Sequence, residues 1–493
     1  MIDRQAVRDT AKYLRQVRPI DPEEITDYLE GQPHPAVIRR VLGEEAVDLG
    51  LIEREDGTFV PVSEEPIEPP GWAPSRLPEP YAVAFEDLLA DEYGPAYHRG
   101  ASGASLRDAI RRLKADYFAG ADVTYDRTAA YAYGIYHLPG YYAAIGYVLD
   151  TLAERGLLSR ALRVLDVGAG VGGPALGLFE YLPDDALVEY HAIEPSPAAE
   201  ILQELIGHAG RNVHPTVHRT TIEAFEPAES IENLDQSGGG ADSDGFDLIL
   251  FSNVLSELDD PTGMVDRSLD WLAPDGSVLA LAPADLETAT GLRRVERSIE
   301  TADDRVTVYA PELRLWERET PTDRGWSFDV RPDLEPPSFQ ERIVEAARED
   351  GGAREEDLPD PESYRNVDVQ FAYSILRLDG ERRFPFRANP RRHAKMAGMD
   401  EHVTDRIDLL AVKLSHDLRE DEAANPIVKI GDGSQSIDHY AVVPKRTTLN
   451  EALLEAPYGA ILSIERTLVL WNDDEAAYNL VVDDETFVET IAG

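Results

Sequence analysis

The stretch from Leu162 to Glu194 decides the fold of this chain, and it reads LRVLDVGAGVGGPALGLFEYLPDDALVEYHAIE. An apolar run ends at Asp166, a glycine-rich loop follows, and a stretch compatible with a helix leads to a second apolar run that ends at Glu194. This pattern predicts a strand, a loop, a helix and a second strand. We expect the loop and both acidic residues to border one cleft at the ends of parallel strands.

The spacing of the glycines indicates which ligand the loop accepts. Gly168, Gly170 and Gly172 alternate with other residues, whereas a pyrophosphate-binding loop follows the pattern Gly-x-Gly-x-x-Gly. Asp166 before the loop suits a ligand with a positive charge and no phosphate, and Glu194 can accept hydrogen bonds from ribose hydroxyls. S-adenosylmethionine is such a ligand. The alternative is an ordinary glycine turn, which the combination of loop and two acids argues against.

The loop resembles motif I of the class I methyltransferases, with Glu194 at the ribose-binding position of motif II. This resemblance implies an α/β fold with a Rossmann-like core and S-adenosylmethionine as the cofactor. Glu223, after the predicted third strand, is a candidate for the adenine amine. Asn253, at the end of the predicted fourth strand, would face the transferring methyl group, and Glu257 would orient a substrate or cap a helix. No Pro-Pro-aromatic sequence follows Asn253, which speaks against methylation of a base amine.

The other strands of this core follow from apolar runs between turns. The pattern predicts strands over 213–220, 246–253 and 277–282, the last one after a turn at 274–276. Residues 226–245 are polar and glycine-rich and are expected to form a flexible insertion.

A chain of 493 residues is expected to form two to four domains. Composition and periodicity predict six segments along it. They are a winged-helix-like module (1–66), a proline-rich linker (67–80), a helical lid region (81–155), the Rossmann-like core (156–300), an extension with a basic patch (301–420) and a β-rich C-terminal domain (421–493).

Three predicted helices and a hairpin make up the N-terminal module. Asp21 is the expected N-cap of the second helix, and a turn at 55–57 joins two short strands. The third helix, predicted over 35–49, carries Arg39 and Arg40 and would enter nucleic acid. Acidic residues on the same helix favour a protein-contact or scaffold module, and the sequence leaves both interpretations open.

Tyrosines are dense before the glycine loop. Between 117 and 147 the chain has eight of them, and we predict two helices broken at Leu138, Pro139 and Gly140. The tyrosines would fill a core or interface, or form a lid over the cofactor and substrate pocket.

A basic patch lies between residues 382 and 396 and contains no acidic residue. Phenylalanines alternate with the basic side chains, a mixture that suits phosphate contacts and base stacking in RNA. The alternative is a structural patch that neutralises the acidic surface of the protein itself. The candidate RNA-binding residues are Arg382, Arg383, Arg387, Arg391, Arg392 and Lys395.

The amino-acid composition indicates the solvent conditions and the kinds of metal site that the protein is suited to. The chain has 94 acidic and 47 basic residues spread along its length, for a formal net charge of −47. We interpret this as adaptation to high salt, which screens the self-repulsion. Cysteine is absent, so thiolate metal sites and disulfides are excluded, and no metal site is expected. The sequence has no apolar signal region and no long apolar run, so we expect a soluble, cytoplasmic protein without a membrane partner.

Three further stretches, 131–145, 251–258 and 371–377, resemble the methyltransferase-like proteins of the mitochondrial small ribosomal subunit and their prokaryotic relatives. The resemblance covers about 100–420 and implies binding to small-subunit ribosomal RNA during ribosome assembly, with or without methyl transfer. Many such proteins have four cysteines suited to an iron–sulfur cluster, which this chain cannot hold. A small-molecule methyltransferase and a non-catalytic RNA-binding scaffold are the alternatives. The sequence does not indicate the oligomeric state.

Overall fold

The computed structural model describes residues 3–118, 125–227, 245–316, 326–350 and 360–493. The chain forms two compact units. The first comprises 1–252, 268–276 and 332–369, and the second comprises 253–267, 277–331 and 370–493. Among the described residues, no helix has both the length and the apolar character that a membrane span requires.

The first unit begins with the predicted module of helices and a hairpin. Its helices are α1 (Arg4–Leu14), α2 (Pro22–Tyr28), α3 (Pro35–Glu44) and α4 (Ala46–Leu49), and its strands are β1 (Leu51–Glu53) and β2 (Phe59–Pro61). Asp21 caps α2 as expected, because its side chain accepts a hydrogen bond from the Glu23 N–H. The predicted helix over 35–49 is instead two helices, since the backbone leaves the helical region at Glu45.

The hairpin of this module is fixed to the core of the same unit. The Glu53 N–H donates to Asn212 Oδ1 at 2.7 Å, and Asn212 Nδ2 donates to the Glu53 carbonyl at 3.2 Å. Ile52 packs against Leu187 in a small apolar cluster. Strand β1 of the hairpin therefore contacts the α/β core through hydrogen bonds and apolar packing.

The proline-rich segment 67–80 is anchored along its length, unlike a free linker. The Ile67 N–H donates to the Leu158 carbonyl at 2.8 Å. Trp72 Nε1 donates to the Ala143 carbonyl at 2.8 Å, and its ring occupies the space that a Cβ on Gly146 would need.

Three long helices follow: α5 (Glu79–Tyr93), α6 (Gly100–Phe118) and α7 (Arg127–Ala153). The predicted break of the tyrosine-rich segment at Pro139 is wrong, because α7 continues through it. Proline at this position leaves the Ile135 carbonyl without its helical donor. The buried side chain of Gln340 supplies that donor through Nε2 at 2.7 Å.

The α/β core of the first unit has the predicted Rossmann-like topology. Its parallel strands have the order β5-β4-β3-β6. The elements are β3 (Ala161–Val167), α8 (Gly173–Tyr181), β4 (Leu187–Ile193), α9 (Ala198–Ile206), β5 (Val213–His218) and β6 (Phe246–Ser252). The expected insertion at 226–245 falls almost entirely outside the described residues.

The next elements are α10 (Pro261–Leu269), β7 (Leu272–Pro283), α11 (Leu286–Ala302), β8 (Thr307–Ala310), β9 (Asp329–Arg331), α12 (Ser338–Asp350) and β10 (Val369–Arg377). In the second unit β10 pairs antiparallel with both β7 and β8. The turn predicted at 274–276 lies inside β7. The sequence interpretation did not include α12, which belongs to the first unit.

The C-terminal region of the second unit is a small closed barrel. Its elements are β11 (Arg406–Lys413), β12 (Ile427–Gly431), β13 (His439–Val442), α13 (Ala452–Glu455), β14 (Ile461–Asn472), β15 (Ala477–Val481) and β16 (Phe487–Ala492). The order β11-β12-β13-β15-β14 closes through a β14–β11 pairing, and β13 and β15 are parallel. This is the connectivity of an OB-fold. The β-rich region thus begins at Arg406, before the predicted boundary at 421.

Candidate functional site

The glycine loop between β3 and α8 has the backbone conformation that requires glycine. The φ angles of Gly168, Gly170 and Gly172 are 66°, 56° and 95°, all in the left-handed region. A Cβ on Gly172 would also lie 2.6 Å from Leu202 Cδ1. At these three positions the loop therefore presents main chain without a side chain at the carboxyl end of β3.

Glu194, directly after β4, fixes this loop. Its Oε2 accepts a hydrogen bond from the Gly170 N–H at 2.9 Å, and its Oε1 accepts one from the Ser196 N–H at 2.8 Å. The residue is 7% exposed. Each carboxylate oxygen has a second lone pair, so Glu194 can hold the loop and still accept hydrogen bonds from ribose hydroxyls.

Asp166, near the end of β3, is fully buried beside this loop. Its Oδ2 accepts a hydrogen bond from the Tyr190 hydroxyl at 2.6 Å. Burial raises the pKa of Asp166 to about 7; the Tyr190 hydrogen bond lowers this pKa, and the charge of Glu194 raises it. The carboxyl group therefore titrates near neutral pH.

Two polar atoms at the ends of adjacent strands have no hydrogen-bond partner among the described residues. They are Asp166 Oδ1, on β3, and Ser252 Oγ, on β6, and both are buried. A buried acceptor without a donor is costly. A ligand with a cationic donor group would relieve it, so these residues fit S-adenosylmethionine. The sequence interpretation missed Ser252, although its place at the end of a strand beside the loop is a usable signal.

One face of α7 lies against the loop in the first unit. The position of a Cβ on Gly170 is 3.9 Å from Tyr133 Cε1, and Tyr141 Cβ lies 3.0 Å from the corresponding position on Gly173. His137 stacks on Tyr141, with ring centroids 5.0 Å apart. Burial, with a smaller effect of Lys114, lowers the pKa of His137 to about 3, so this imidazole is neutral. Tyr133 thus lies against the loop and Tyr141 against the start of α8, with His137 stacked on Tyr141, and a lid function of these tyrosines stays a prediction.

The remaining predicted cofactor residue, Glu223, is exposed on the one-turn helix Ile222–Ala224 after β5. Its place after the third strand of the core agrees with the sequence interpretation, and its role toward adenine stays a prediction.

The two predicted catalytic residues lie in the second unit. Asn253 follows β6 directly and has a φ of 62°, a left-handed conformation that asparagine tolerates better than most residues. Its N–H donates to the Leu281 carbonyl at 2.9 Å. Glu257 is exposed at the end of the short helix Leu255–Glu257. Their catalytic roles stay predictions.

The basic patch is largely engaged with the protein itself. Arg391 and Arg392 are the exposed basic residues in it, and Phe386 in the same patch is 40% exposed. The ion pairs of the patch are Arg382 with Glu300 and Glu312, Arg387 with Glu312, and Arg392 with Glu465. Two further basic groups lie over aromatic rings, Arg383 over Phe384 and Lys395 over Trp316. Within the described ranges, the ion pairs thus include three of the six predicted RNA contacts.

Comparison with known families identifies the core. Residues 165–278 match a methyltransferase domain. Residues 4–55 and 397–491 match the N-terminal and C-terminal domains of a domain family of unknown function, DUF8157. Together with the described loop, the first match confirms the predicted methyltransferase core, and S-adenosylmethionine as the cofactor of this domain.

The solved structures that resemble the chain are distant from it. The plantazolicin methyltransferase BpumL in complex with SAH is 11% identical and aligns over 60% of this chain and 96% of its own, with a TM-score of 0.27. A SAM-dependent methyltransferase from Aquifex aeolicus is 18% identical over 28% of this chain and 63% of its own, with a TM-score of 0.21. No curated protein sequence matches the chain. At these identities and scores, the likeness does not identify a substrate.

Proposed function

We propose that this methyltransferase acts on the RNA of the small ribosomal subunit. The cofactor half of this proposal depends on one observation, the buried Asp166 Oδ1 without a partner beside a loop that Glu194 fixes. The acceptor half is supported by the resemblance of the sequence to ribosome-associated methyltransferase-like proteins and by the exposed end of the basic patch.

The residues of the first unit have distinct tasks in methyl transfer. When bound, S-adenosylmethionine supplies a methyl group on a positively charged sulfur, so catalysis is mainly positioning and exclusion of water. Asp166 provides a buried negative charge for the cationic end of the cofactor. Glu194 accepts ribose hydroxyls while it holds the loop, and Tyr133 and Tyr141 limit the access of water.

Binding of the cofactor is tested by isothermal titration calorimetry at high salt. We expect Asp166→Ala and Glu194→Ala each to weaken S-adenosylmethionine binding by at least tenfold, because each removes a carboxylate from the cleft (~1.4 kcal/mol per tenfold). Asp184→Ala is the matched control, since Asp184 is exposed in the turn before β4. Equal affinity in all four proteins would contradict the cofactor site.

The acceptor is tested by co-sedimentation with small ribosomal subunits. We expect the pair Arg391→Gln and Arg392→Gln to reduce sedimentation several-fold, because these are the exposed charges of the patch. Lys445→Gln with Arg446→Gln is the control, since this basic pair is exposed elsewhere in the second unit. Equal sedimentation of both double variants would exclude the patch as the RNA contact.

A small-molecule acceptor is the second candidate, and the internal ion pairs of Arg382, Arg387 and Arg392 favour it. They leave less free positive charge for RNA than the sequence suggests. Cofactor binding without sedimentation would support this candidate. Sedimentation without cofactor binding would instead support a non-catalytic scaffold.

A further inference from the structure

Lys114, near the end of α6, differs from the other basic residues of that helix. The three arginines of α6 each form an ion pair with an aspartate: Arg107 with Asp350, Arg111 with Asp108 and Arg112 with Asp126. Lys114 Nζ instead donates to the Tyr136 hydroxyl and to the Ser363 carbonyl, each at 3.1 Å, and both acceptors are neutral. An ammonium group has three N–H donors. Among the contacts of the described residues, one donor and the positive charge therefore remain for an anion.

A series of ring contacts connects Lys114 to the glycine loop within the first unit. Lys114 Nζ lies 4.7 Å from the centroid of the Tyr136 ring, which meets the His137 ring edge-on with centroids 4.9 Å apart. The centroid of the His137 ring is 4.7 Å from that of Tyr133. Tyr133 Cε1 in turn lies 3.9 Å from the position of a Cβ on Gly170. Lys114 therefore lies beside the part of α7 that faces the loop.

His137 adds no second positive charge to this region. Burial and, to a smaller extent, Lys114 lower the pKa of His137 to about 3, so its imidazole is neutral at physiological pH. Arg127, at the start of α7, is paired with Glu92 and Glu200. Within the described parts of α6 and α7, Lys114 is thus the cationic group that has no carboxylate partner.

The methionine end of S-adenosylmethionine carries an ammonium group and a carboxylate on the same carbon atom. Asp166 offers a negative group to the ammonium, but Asp166 and Glu194 would both repel the carboxylate unless a cation lies close to it. We propose that Lys114 binds this carboxylate through its ammonium group, in a charge-assisted hydrogen bond. The proposal rests on the proposed cofactor site at the glycine loop, to which it adds a subsite for the carboxylate.

The experiment compares S-adenosylmethionine with decarboxylated S-adenosylmethionine, which keeps the sulfonium and the amino group and lacks the carboxylate. Affinities of the full chain are measured by calorimetry at high salt and pH 8, where Asp166 is ionised. We expect the unmodified protein to bind S-adenosylmethionine about tenfold more tightly than the decarboxylated compound. Lys114→Gln should abolish this preference by weakening the binding of S-adenosylmethionine alone. Arg111→Gln is the matched control and should keep the preference, since Arg111 is exposed on the same helix and pairs with Asp108 of that helix.

Tyr136→Phe is the second variant, in case Lys114→Gln does not fold, because it removes the hydroxyl that holds Lys114 and keeps the ring. It should reduce the preference several-fold, again through S-adenosylmethionine alone. Asp166→Ala should weaken the binding of both compounds, because both carry the amino group. Failure of the carboxylate subsite is therefore distinguishable from failure of the cofactor site.

Equal affinity of the unmodified protein for the two compounds would overturn the proposal. A preference that Lys114→Gln leaves intact would also overturn it, as would an intact preference in Tyr136→Phe if Lys114→Gln does not fold. An equal loss of affinity for both compounds in Lys114→Gln would overturn it too and leave Lys114 a structural residue that joins α6 to Tyr136 and Ser363. Binding of neither compound to the unmodified protein would contradict the cofactor site and, with it, this subsite.

Discussion

At the scale of single residues, Asp166 links stability and function. A carboxyl group that is buried with one oxygen unpaired is costly to ionise, so its pKa lies near 7 in the free protein. A cationic ligand favours the ionised form. Ionisation of Asp166 is therefore unfavourable in the free protein and favourable in the complex with a cationic ligand.

The first prediction concerns pH. S-adenosylmethionine binding requires ionised Asp166, and the ionised fraction rises as pH passes upward through about 7. We expect about tenfold tighter binding at pH 8 than at pH 6, measured by calorimetry in buffers of equal ionic strength. Asp166→Asn should bind weakly at both values, without this dependence. A wild-type affinity that does not change between the two pH values would contradict the role of Asp166.

The second prediction concerns Gly172. Alanine there would have a left-handed backbone and a Cβ 2.6 Å from Leu202 Cδ1. We expect Gly172→Ala to destabilise the protein by about 2 kcal/mol or more, seen as a lower melting temperature. Gly210→Ala is the control, since a Cβ at that position meets no atom within 4 Å. Equal melting temperatures of the two variants would show that the loop is less constrained than described.

At the scale of elements, α7 shows why a local pattern is insufficient. Pro139 predicts a break because it removes a hydrogen-bond donor from the helix. The helix continues because Gln340, about two hundred positions later, supplies a donor to the Ile135 carbonyl and a second one to the Asn366 carbonyl at 3.2 Å. Such compensation is invisible in the sequence around the proline.

The third prediction tests this compensation. Gln340→Leu leaves the buried Ile135 carbonyl unsatisfied and should lower stability by about 2–3 kcal/mol. In that background Pro139→Ala restores a main-chain donor and should recover part of the loss, as measured by thermal unfolding. Gln203→Leu is the control, because Gln203 is exposed on α9. The effect of Pro139→Ala on the melting temperature is measured both in the wild-type protein and in the Gln340→Leu variant. If Pro139→Ala stabilises the variant no more than it stabilises the wild type, the two residues are not coupled.

The cofactor core could be predicted from sequence because its signals are local. The glycines, Asp166 and Glu194 lie within about thirty positions of one another. Each lies in or next to a strand that the apolar residues of that strand predict. Features that depend on distant contacts could not be predicted. Trp72 anchors the proline-rich segment on α7 through Ala143, and the barrel closes through pairing of β11 with β14.

The same limit applies to the candidate sites. The basic patch was visible as a run of arginines, but its ion pairs with Glu300, Glu312 and Glu465 come from other segments. No single stretch of sequence contains both members of these ion pairs, so they appear only in the folded chain.

At the scale of the whole molecule, the excess of acidic residues makes stability depend on salt. Self-repulsion at a net charge of −47 destabilises the compact state. The Debye length falls from about 10 Å at 0.1 M salt to about 3 Å at 1 M. We therefore expect the melting temperature to rise by several degrees between these KCl concentrations.

Sucrose is the control for this fourth prediction, because it stabilises by exclusion from the surface without screening charge. A melting temperature that sucrose raises and KCl leaves unchanged would contradict the interpretation of the acidity as adaptation to salt.

The most direct test of the central claim is a crystal structure of the full chain grown with S-adenosylmethionine. We predict that the amino group of its methionine moiety lies within hydrogen-bond distance of Asp166 Oδ1 and that its ribose hydroxyls contact Glu194. A cofactor bound elsewhere in the chain, or ordered crystals in which this cleft stays closed by protein side chains at saturating cofactor, would contradict the assignment.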